Sequence, residues 1–174
     1  MPELLNGIDE VYFVQPMNAT GTEGLFIAFQ TEGNHTKEQD TKDESTKSGR
    51  IVGYGPKSEN FELTYYAATN DPGQSAIEDA YDNEETLQVW KVNLNKNANQ
   101  KHDSEYGHAI IESLEKSAPQ DGFIEVSTTL PVLGKTRKGE LDPLPQELID
   151  QIRSSAGAKK FMQFGENGKT TTTP

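Results

Sequence analysis

Cysteine is absent from the sequence, and with it go disulfide staples, thiolate metal sites and cysteine nucleophiles. Positive charge is scarce: 16 Lys and Arg stand against 28 Asp and Glu, a net charge of -12. That balance argues against gripping nucleic acid, which needs Lys and Arg to neutralise phosphates, and leaves room for a surface that repels DNA. No segment approaches the roughly 18 apolar residues of a membrane span, and residues 1–9 have no basic stretch followed by an apolar run. The expectation is a soluble chain with no membrane contact and no visible export signal. Apolar residues are themselves sparse, at 32% with a mean hydropathy of -0.76. At 174 residues the chain suits one domain with a modest core and with arms or loops outside it.

Recognisable site chemistry is missing as well. His35, His102 and His108 fall in different segments, two of them in polar loops, and suggest neither a zinc triad nor a catalytic dyad. Asp40, Asp43, Glu44 and Ser45 lack the alternating acidic ladder, the glycine and the terminal glutamate of a calcium loop. Gly53-Tyr54-Gly55-Pro56 offers glycines without the helix and lysine that a phosphate cradle requires. The expectation is a protein that is not an enzyme and takes no cofactor or metal. A hydrolase built on two of its many carboxylates is a remote alternative.

What the sequence does contain is short alternating runs. Residues 10–15 and 25–30, rich in Val, Phe, Tyr and Ile, predict two strands joined by a loop from Pro16 to Gly21. Residues 31–49 hold no large apolar residue and far exceed the usual connection of about 4–6 residues. A functional or disordered loop is expected there, with Ile51, Val52 and Tyr54 available for the return strand of a long polar hairpin. Along 59–67, Phe61, Leu63 and Tyr65 fall on one face and Glu62, Thr64 and Tyr66 on the other, the pattern of a half-buried antiparallel strand.

Asp71 as N-cap and Pro72 at the first helical position open a helix that ends near Asn83 and lines up Ala76, Ile77, Ala80 and Tyr81. Strands are predicted at 87–94, 106–115 and 123–133. A short helix at 143–155, striped with Leu144, Leu148, Ile149 and Ile152, is expected to cover an open end or edge of a sheet. The sum is an α+β fold, mainly β, built on a sandwich or partial barrel. One domain is expected over 1–164, with the polar hairpin or loop at 31–55 and a flexible tail at 165–174. From Ser58 to Gln88 there are eight acidic residues and no Lys or Arg. Such a stretch is either a solvated face or a surface that meets DNA or a neighbouring subunit.

Three segments carry a resemblance. They are Ala19-Thr20-Gly21-Thr22-Glu23-Gly24-Leu25-Phe26-Ile27-Ala28-Phe29-Gln30-Thr31-Glu32, the acidic-basic stretch Asp40-Thr41-Lys42-Asp43-Glu44-Ser45-Thr46-Lys47-Ser48-Gly49-Arg50-Ile51-Val52, and the helix-strand unit at 71–94. In that order, across about residues 5–155, the chain resembles the major tail (tail tube) proteins of siphophages of Gram-positive hosts, a staphylococcal phage among the candidates. The resemblance implies two packed antiparallel sheets flanked by a helix, six copies closing into a ring, and rings stacking into a hollow tube for DNA passage. Tube proteins of type VI secretion and of contractile injection systems are similar in fold. Implied partners are further copies of the chain, a tape measure protein, a tail terminator and a distal tail protein. The implied location is the virion tail, with assembly in the host cytoplasm. A monomeric virion binding or decoration module is the alternative from another class.

Two sets of site residues follow as expectations. The polar stretch, through Thr36, Lys37, Glu38, Asp40, Lys42, Asp43, Glu44 and Lys47, is expected to contact an adjacent ring. Glu125, Ser127 and Thr129 alternate with Ile124, Val126 and Thr128, and with Glu112 they are candidates for the lumen lining. There an acidic or neutral polar wall keeps DNA from sticking. Exposure to bulk water is the plain reading of the same residues.

Overall fold

Alternating apolar residues and tight turns set the strands of the computed structural model, which describes residues 2–21 and 23–154. Among the described residues the strands are β1 (Glu10–Pro16), β2 (Leu25–Phe26), β3 (Gln30–Thr46), β4 (Gly49–Tyr66), β5 (Leu87–Lys96), β6 (His102–Ala109), β7 (Ser113–Ser117), β8 (Glu125–Pro131) and β9 (Arg137–Leu141). They form a five-stranded sheet in the order β2-β1-β5-β6-β9 and a four-stranded sheet in the order β3-β4-β8-β7. Every strand pair is antiparallel. Two antiparallel sheets with a flanking helix are the mainly β, α+β fold expected from the sequence. The strands and helix α1 (Pro72–Asp82) make one compact unit, Met1–Pro143; the described part of a second unit, from Leu144 onward, carries the short helix α2 (Gln146–Arg153). No described helix is long and apolar enough to cross a membrane.

One apolar cluster joins the two sheets and α1. Tyr12 and Val14 of β1, Leu87 and Val89 of β5, Phe61, Leu63 and Tyr65 of β4, Val126 and Leu130 of β8, and Ile77 of α1 are all buried in it. Each large apolar side chain removed from water contributes about 1.5–3 kcal/mol. The alternation Phe61, Leu63, Tyr65 is therefore what turns β4 inward, and Glu62 and Thr64 necessarily face away.

Helix α1 begins as its sequence directs. The Asp71 carboxylate accepts the Gln74 amide at 2.9 Å and the Ala28 amide at 3.3 Å, satisfying a first-turn donor that the helix leaves unpaired. The buried Gln74 side chain donates to the carbonyls of Tyr66 (2.9 Å) and Ala28 (3.1 Å) and accepts the Ala68 amide (2.9 Å). Gly73 lies so close to the preceding turn that an added Cβ would sit 2.4 Å from the Phe26 carbonyl oxygen. Gly73→Ala is therefore expected to destabilise the fold by about 1–3 kcal/mol despite its better helix propensity. Urea denaturation should show that loss and show none for Gly7→Ala, whose Cβ would meet nothing within 4 Å.

The structure revises several local expectations. Within 25–30 only Leu25 and Phe26 pair with β1; the chain then turns, with Phe29 at φ 56, and Gln30 starts β3 in the other sheet. Of the two readings for 31–55, hairpin or loop, the structure has the hairpin, β3 pairing with β4, and the strands read separately at 50–55 and 59–67 fuse into the single long β4. The expected strand at 106–115 breaks at 110–112, where the Ile110 amide bonds to Pro131 O and the Glu112 amide to Thr129 O, carrying the chain from one sheet to the other. Strand β9 had no apolar period to announce it: it is Arg-Lys-Gly-Glu-Leu at a sheet edge. The tail expected at 165–174 lies outside the described residues.

Candidate functional site

The four-stranded sheet turns one face to the core and the other to solvent. Across the outer face the register aligns Asn34, Glu62, Thr129 and Ser113 in one row and Glu32, Thr64, Ser127 and Glu115 in the next. A third row holds Tyr66, Glu125 and Ser117. Four carboxylates and a set of hydroxyls and amides thus share a surface whose three rows contain no Lys or Arg. The first two rows line an open depression of about 360 Å³. Glu125, Ser127 and Thr129, picked from one strand, sit together on this face. Glu112 precedes β7 and lies outside those rows, exposed and held through its amide. Sequence reasoning missed Glu32, Asn34, Ser113 and Glu115. Glu62 and Thr64 were placed on an outward face without being connected to β8, because the connection is a pairing and not a local pattern.

Among the described residues no further strand pairs with either edge of this sheet. Three successive antiparallel pairings separate β3 from β7, so the two edge strands run in opposite senses. The β7 edge of one copy can therefore add antiparallel to the β3 edge of the next and continue the sheet. An exposed edge is a row of unused N–H and C=O groups, a template for such pairing.

Beyond the sheet the β3–β4 hairpin projects as an arm. A register shift between Gln39 and Thr41 marks its base. There Gly55 packs on Asp40: a Cβ on Gly55 would stand 2.9 Å from the Asp40 Cβ. Past this bulge, residues 41–46 pair in register with 49–54, and every residue from 41 to 54 is exposed. The arm holds its shape through backbone pairing and through Arg50, whose Nε donates to Asp43 Oδ1 at 2.8 Å and whose second nitrogen pairs with Oδ2. That guanidinium holds the Asp43 carboxyl below its ordinary range. Of the residues expected in an inter-ring loop, Lys42, Asp43 and Glu44 lie on the arm, Lys47 in its turn and Asp40 at its base. Thr36, Lys37 and Glu38 belong instead to the root of the hairpin, inside the sheet.

The root is fastened by an ionic cluster that the sequence did not reveal. His35, far from being a loop residue, has a side chain only 4% exposed; its Nε2 lies 3.1 Å from Glu59 Oε2 and its Nδ1 2.7 Å from Glu105 Oε2. Lys37 donates to Glu105 Oε1 at 3.1 Å, Lys91 Nζ forms an ion pair with Oε2 at 3.0 Å, and Lys138 Nζ stands 3.8 Å from Oε1. Glu59 in turn accepts from the Thr136 hydroxyl at 2.7 Å. The cluster ties β3 and β4 to β5, β6 and the start of β9. Burial pushes the Glu105 pKa up, but the hydrogen bonds from Lys91 and Lys37 and the nearby positive charge outweigh it and hold the group at about 2. Burial likewise opposes ionisation of Glu59, and the bonds from Thr136 and His35 prevail, leaving its pKa lowered.

An acidic sheet face between two open edges of opposite sense, with an arm projecting past it, defines the class of β subunits shaped for edge association. A model of the phage tail tube protein family matches residues 5–138, and the chain belongs to that family. It is 42% identical over 168 residues to the tail tube protein gp17.1* of Bacillus phage SPP1, a match covering 95% of this chain and 62% of that protein. The chain thus spans less than two thirds of that relative's length. The structure of the SPP1 tail tube, from solid-state NMR and cryo EM, superposes with a TM-score of 0.81 at 35% identity and covers 95% of both chains. The tail of an empty GTA particle, refined with C6 symmetry, shares the fold at a TM-score of 0.61 and 15% identity, covering 78% of this chain and 99% of that one. None of these three names a staphylococcal phage.

Proposed function

We propose that the chain is the structural subunit of a bacteriophage tail tube: copies join edge to edge into rings of six, and the rings stack into a hollow conduit for DNA. The observation that carries this reading is the opposite sense of β3 and β7 at the two edges of one sheet. A head-to-tail contact of that kind closes into a ring when its rotation divides a full turn. Many joined strands then enclose an aqueous channel. Membership of the tail tube family and the superposition on the SPP1 tube support the same conclusion. The number six comes from the family resemblance, and the C6 symmetry of the GTA tail is consistent with it.

In this assembly the acidic rows line the lumen. DNA carries about one charge per 1.7 Å of axis, and a wall of carboxylates and hydroxyls repels it or leaves it unbound. The arm at 41–54 reaches the adjacent ring. A tape measure protein, a tail terminator and a distal tail protein meet the tube in the virion tail, after assembly in the host cytoplasm.

Concentrating the purified protein and imaging it by electron microscopy tests the reading directly. Hollow filaments of uniform diameter are the expected result. A single small species by light scattering at every concentration would instead favour a monomeric binding or decoration module. The lumen assignment has its own test. Tubes of the variant Glu62→Lys, Glu115→Lys, Ser127→Lys should co-sediment with short duplex DNA and release it as salt rises, since each neutralised phosphate contributes to a salt-dependent affinity. Wild-type tubes should leave the duplex in the supernatant, and equal retention by both would place these rows away from the channel.

A further inference from the structure

Residues 2–8 are all exposed, and no residue of the short 3-10 turn Gly7–Asp9 is buried. Leu4 is 95%, Leu5 83% and Ile8 79% exposed, so apolar packing within the subunit does not hold this segment in place. Polar bonds tie it down: the Asp9 amide donates to Asn6 O at 3.1 Å, the Glu10 amide to Gly7 O, and Asn95 Nδ2 to Asp9 Oδ2 at 2.9 Å. Inside the segment stands the sequence Asn6-Gly7. The Asn6 side chain makes no capping hydrogen bond, and a Cβ placed on Gly7 would meet nothing within 4 Å. Other asparagines are held differently. The side-chain amides of Asn34, Asn60, Asn95, Asn97 and Asn99 each donate to a carboxylate at 2.7–3.3 Å. Each of those five is also followed by a residue whose side chain crowds the next backbone amide.

We infer that Asn6 is a site of spontaneous covalent modification in the folded subunit: the backbone nitrogen of Gly7 attacks Asn6 Cγ and closes a succinimide ring. The bond formed is N–Cγ and the bond broken is Cγ–Nδ2; the nitrogen leaves as ammonia, taking the proton that the Gly7 amide gives up. Water then opens the ring at either of its two carbonyls. Cleavage of N–Cγ leaves aspartate, and cleavage between the nitrogen and the original backbone carbonyl leaves isoaspartate, with the main chain routed through Cβ and Cγ. Gly7 suits the first step because its nitrogen is unhindered and its backbone turns freely. Asn6 rests extended, at φ -96 and ψ 133, so the attack requires rotation about ψ. The bond given up is the one from the Asp9 amide, and opening of this kind is easiest at an exposed chain terminus. Either product adds one negative charge, between Glu3 and Asp9, to a chain already at -12. In the isoaspartate form the carbonyl that accepted the Asp9 amide becomes part of a free carboxylate outside the main chain. The turn then loses its closing bond, while the apolar cluster, which has no member before Tyr12, is untouched.

Incubating the purified full chain in heavy-oxygen water at mildly alkaline pH, then mapping its peptides by mass spectrometry, tests the site. A synthetic peptide of residues 3–9, run alongside, sets the clock. Heavy oxygen should enter the folded chain at residue 6 at a rate within about tenfold of the peptide's, a difference of about 1.4 kcal/mol in barrier. Fragmentation should show isoaspartate beside aspartate, and the urea midpoint should not move. Gly7→Ala should slow the uptake about tenfold or more, again about 1.4 kcal/mol of barrier, because its Cβ crowds the attacking nitrogen. The sequence Asn167-Gly168 falls in a separate peptide and is read apart. An Asn6 amide still intact in the folded chain after the reference peptide has reacted overturns the inference. So does an equal rate in Gly7→Ala, which would place the reaction outside the succinimide route. Neither outcome depends on whether the chain forms tubes.

Discussion

Excising residues 40–56 and joining Gln39 to Lys57 through an Asn-Gly turn is expected to give a folded subunit that has lost tube formation altogether. Gln39 and Lys57 face each other across the hairpin, so a two-residue turn of the type that Asn-Gly favours closes the shortened strands in register. None of the removed residues is buried, and none belongs to the apolar cluster. The expected change in unfolding free energy is within about 1 kcal/mol, because shortening a loop changes closure entropy only slowly. A cut from Thr36 to Ser48, shorter but reaching into the root on one strand only, would be a poorer experiment. It would strip Lys37 from Glu105 and unpair the root of β4, mixing lost stacking with lost stability. Electron micrographs of the shortened protein should show rings or single subunits. Tubes of ordinary length would remove the arm from the assembly mechanism while leaving the edge pairing untouched.

The elements legible in the sequence are those that bury one side. Phe61, Leu63 and Tyr65 announced the inner half of β4, and Val89 with its neighbours announced β5. Asp71-Pro72 announced α1, because a cap and a proline act within one turn and need no tertiary partner. The hairpin arm was half legible for the opposite reason. Its strands bury nothing, so Thr41 to Thr46 carry no apolar period, and only backbone pairing with 49–54 makes them a strand. The same holds for Arg137 to Leu141. The crossing at 110–112 was hidden because Ile110 and Ile111 continue an apolar run while the chain changes sheets. On the candidate channel face, alternation in β8 disclosed Glu125, Ser127 and Thr129. Their neighbours Glu32, Glu62 and Glu115 come from strands that meet only through the register. Least legible was the ionic cluster, whose members run from His35 to Lys138 and share no local signature.

That cluster yields the largest single-residue effect expected in this chain. Glu105→Ala would leave Lys91 and His35 half or wholly enclosed without the carboxylate that faces them, and removal of one member of a buried ion pair costs about 3–5 kcal/mol. The effect depends on pH with a definite sign. The folded pKa of about 2 lies below the unfolded value of 4.5, so the carboxylate stabilises the fold fully above pH 4.5. That stabilisation, roughly 3 kcal/mol, is lost as pH falls from 4.5 through 2. Glu59 shifts in the same direction and adds to the loss. Urea midpoints of the wild type should therefore fall steeply across that window, and those of Glu105→Gln should start lower and fall less. Parallel slopes for the two proteins would mean that the cluster is not what acid attacks. Because Glu105 and Glu59 join the hairpin root to the other sheet through His35, Lys37 and Thr136, acid should release the root before it melts the apolar core. In the proposed assembly, where the arm reaches the adjacent ring, tubes should then come apart at a pH where the isolated subunit is still folded.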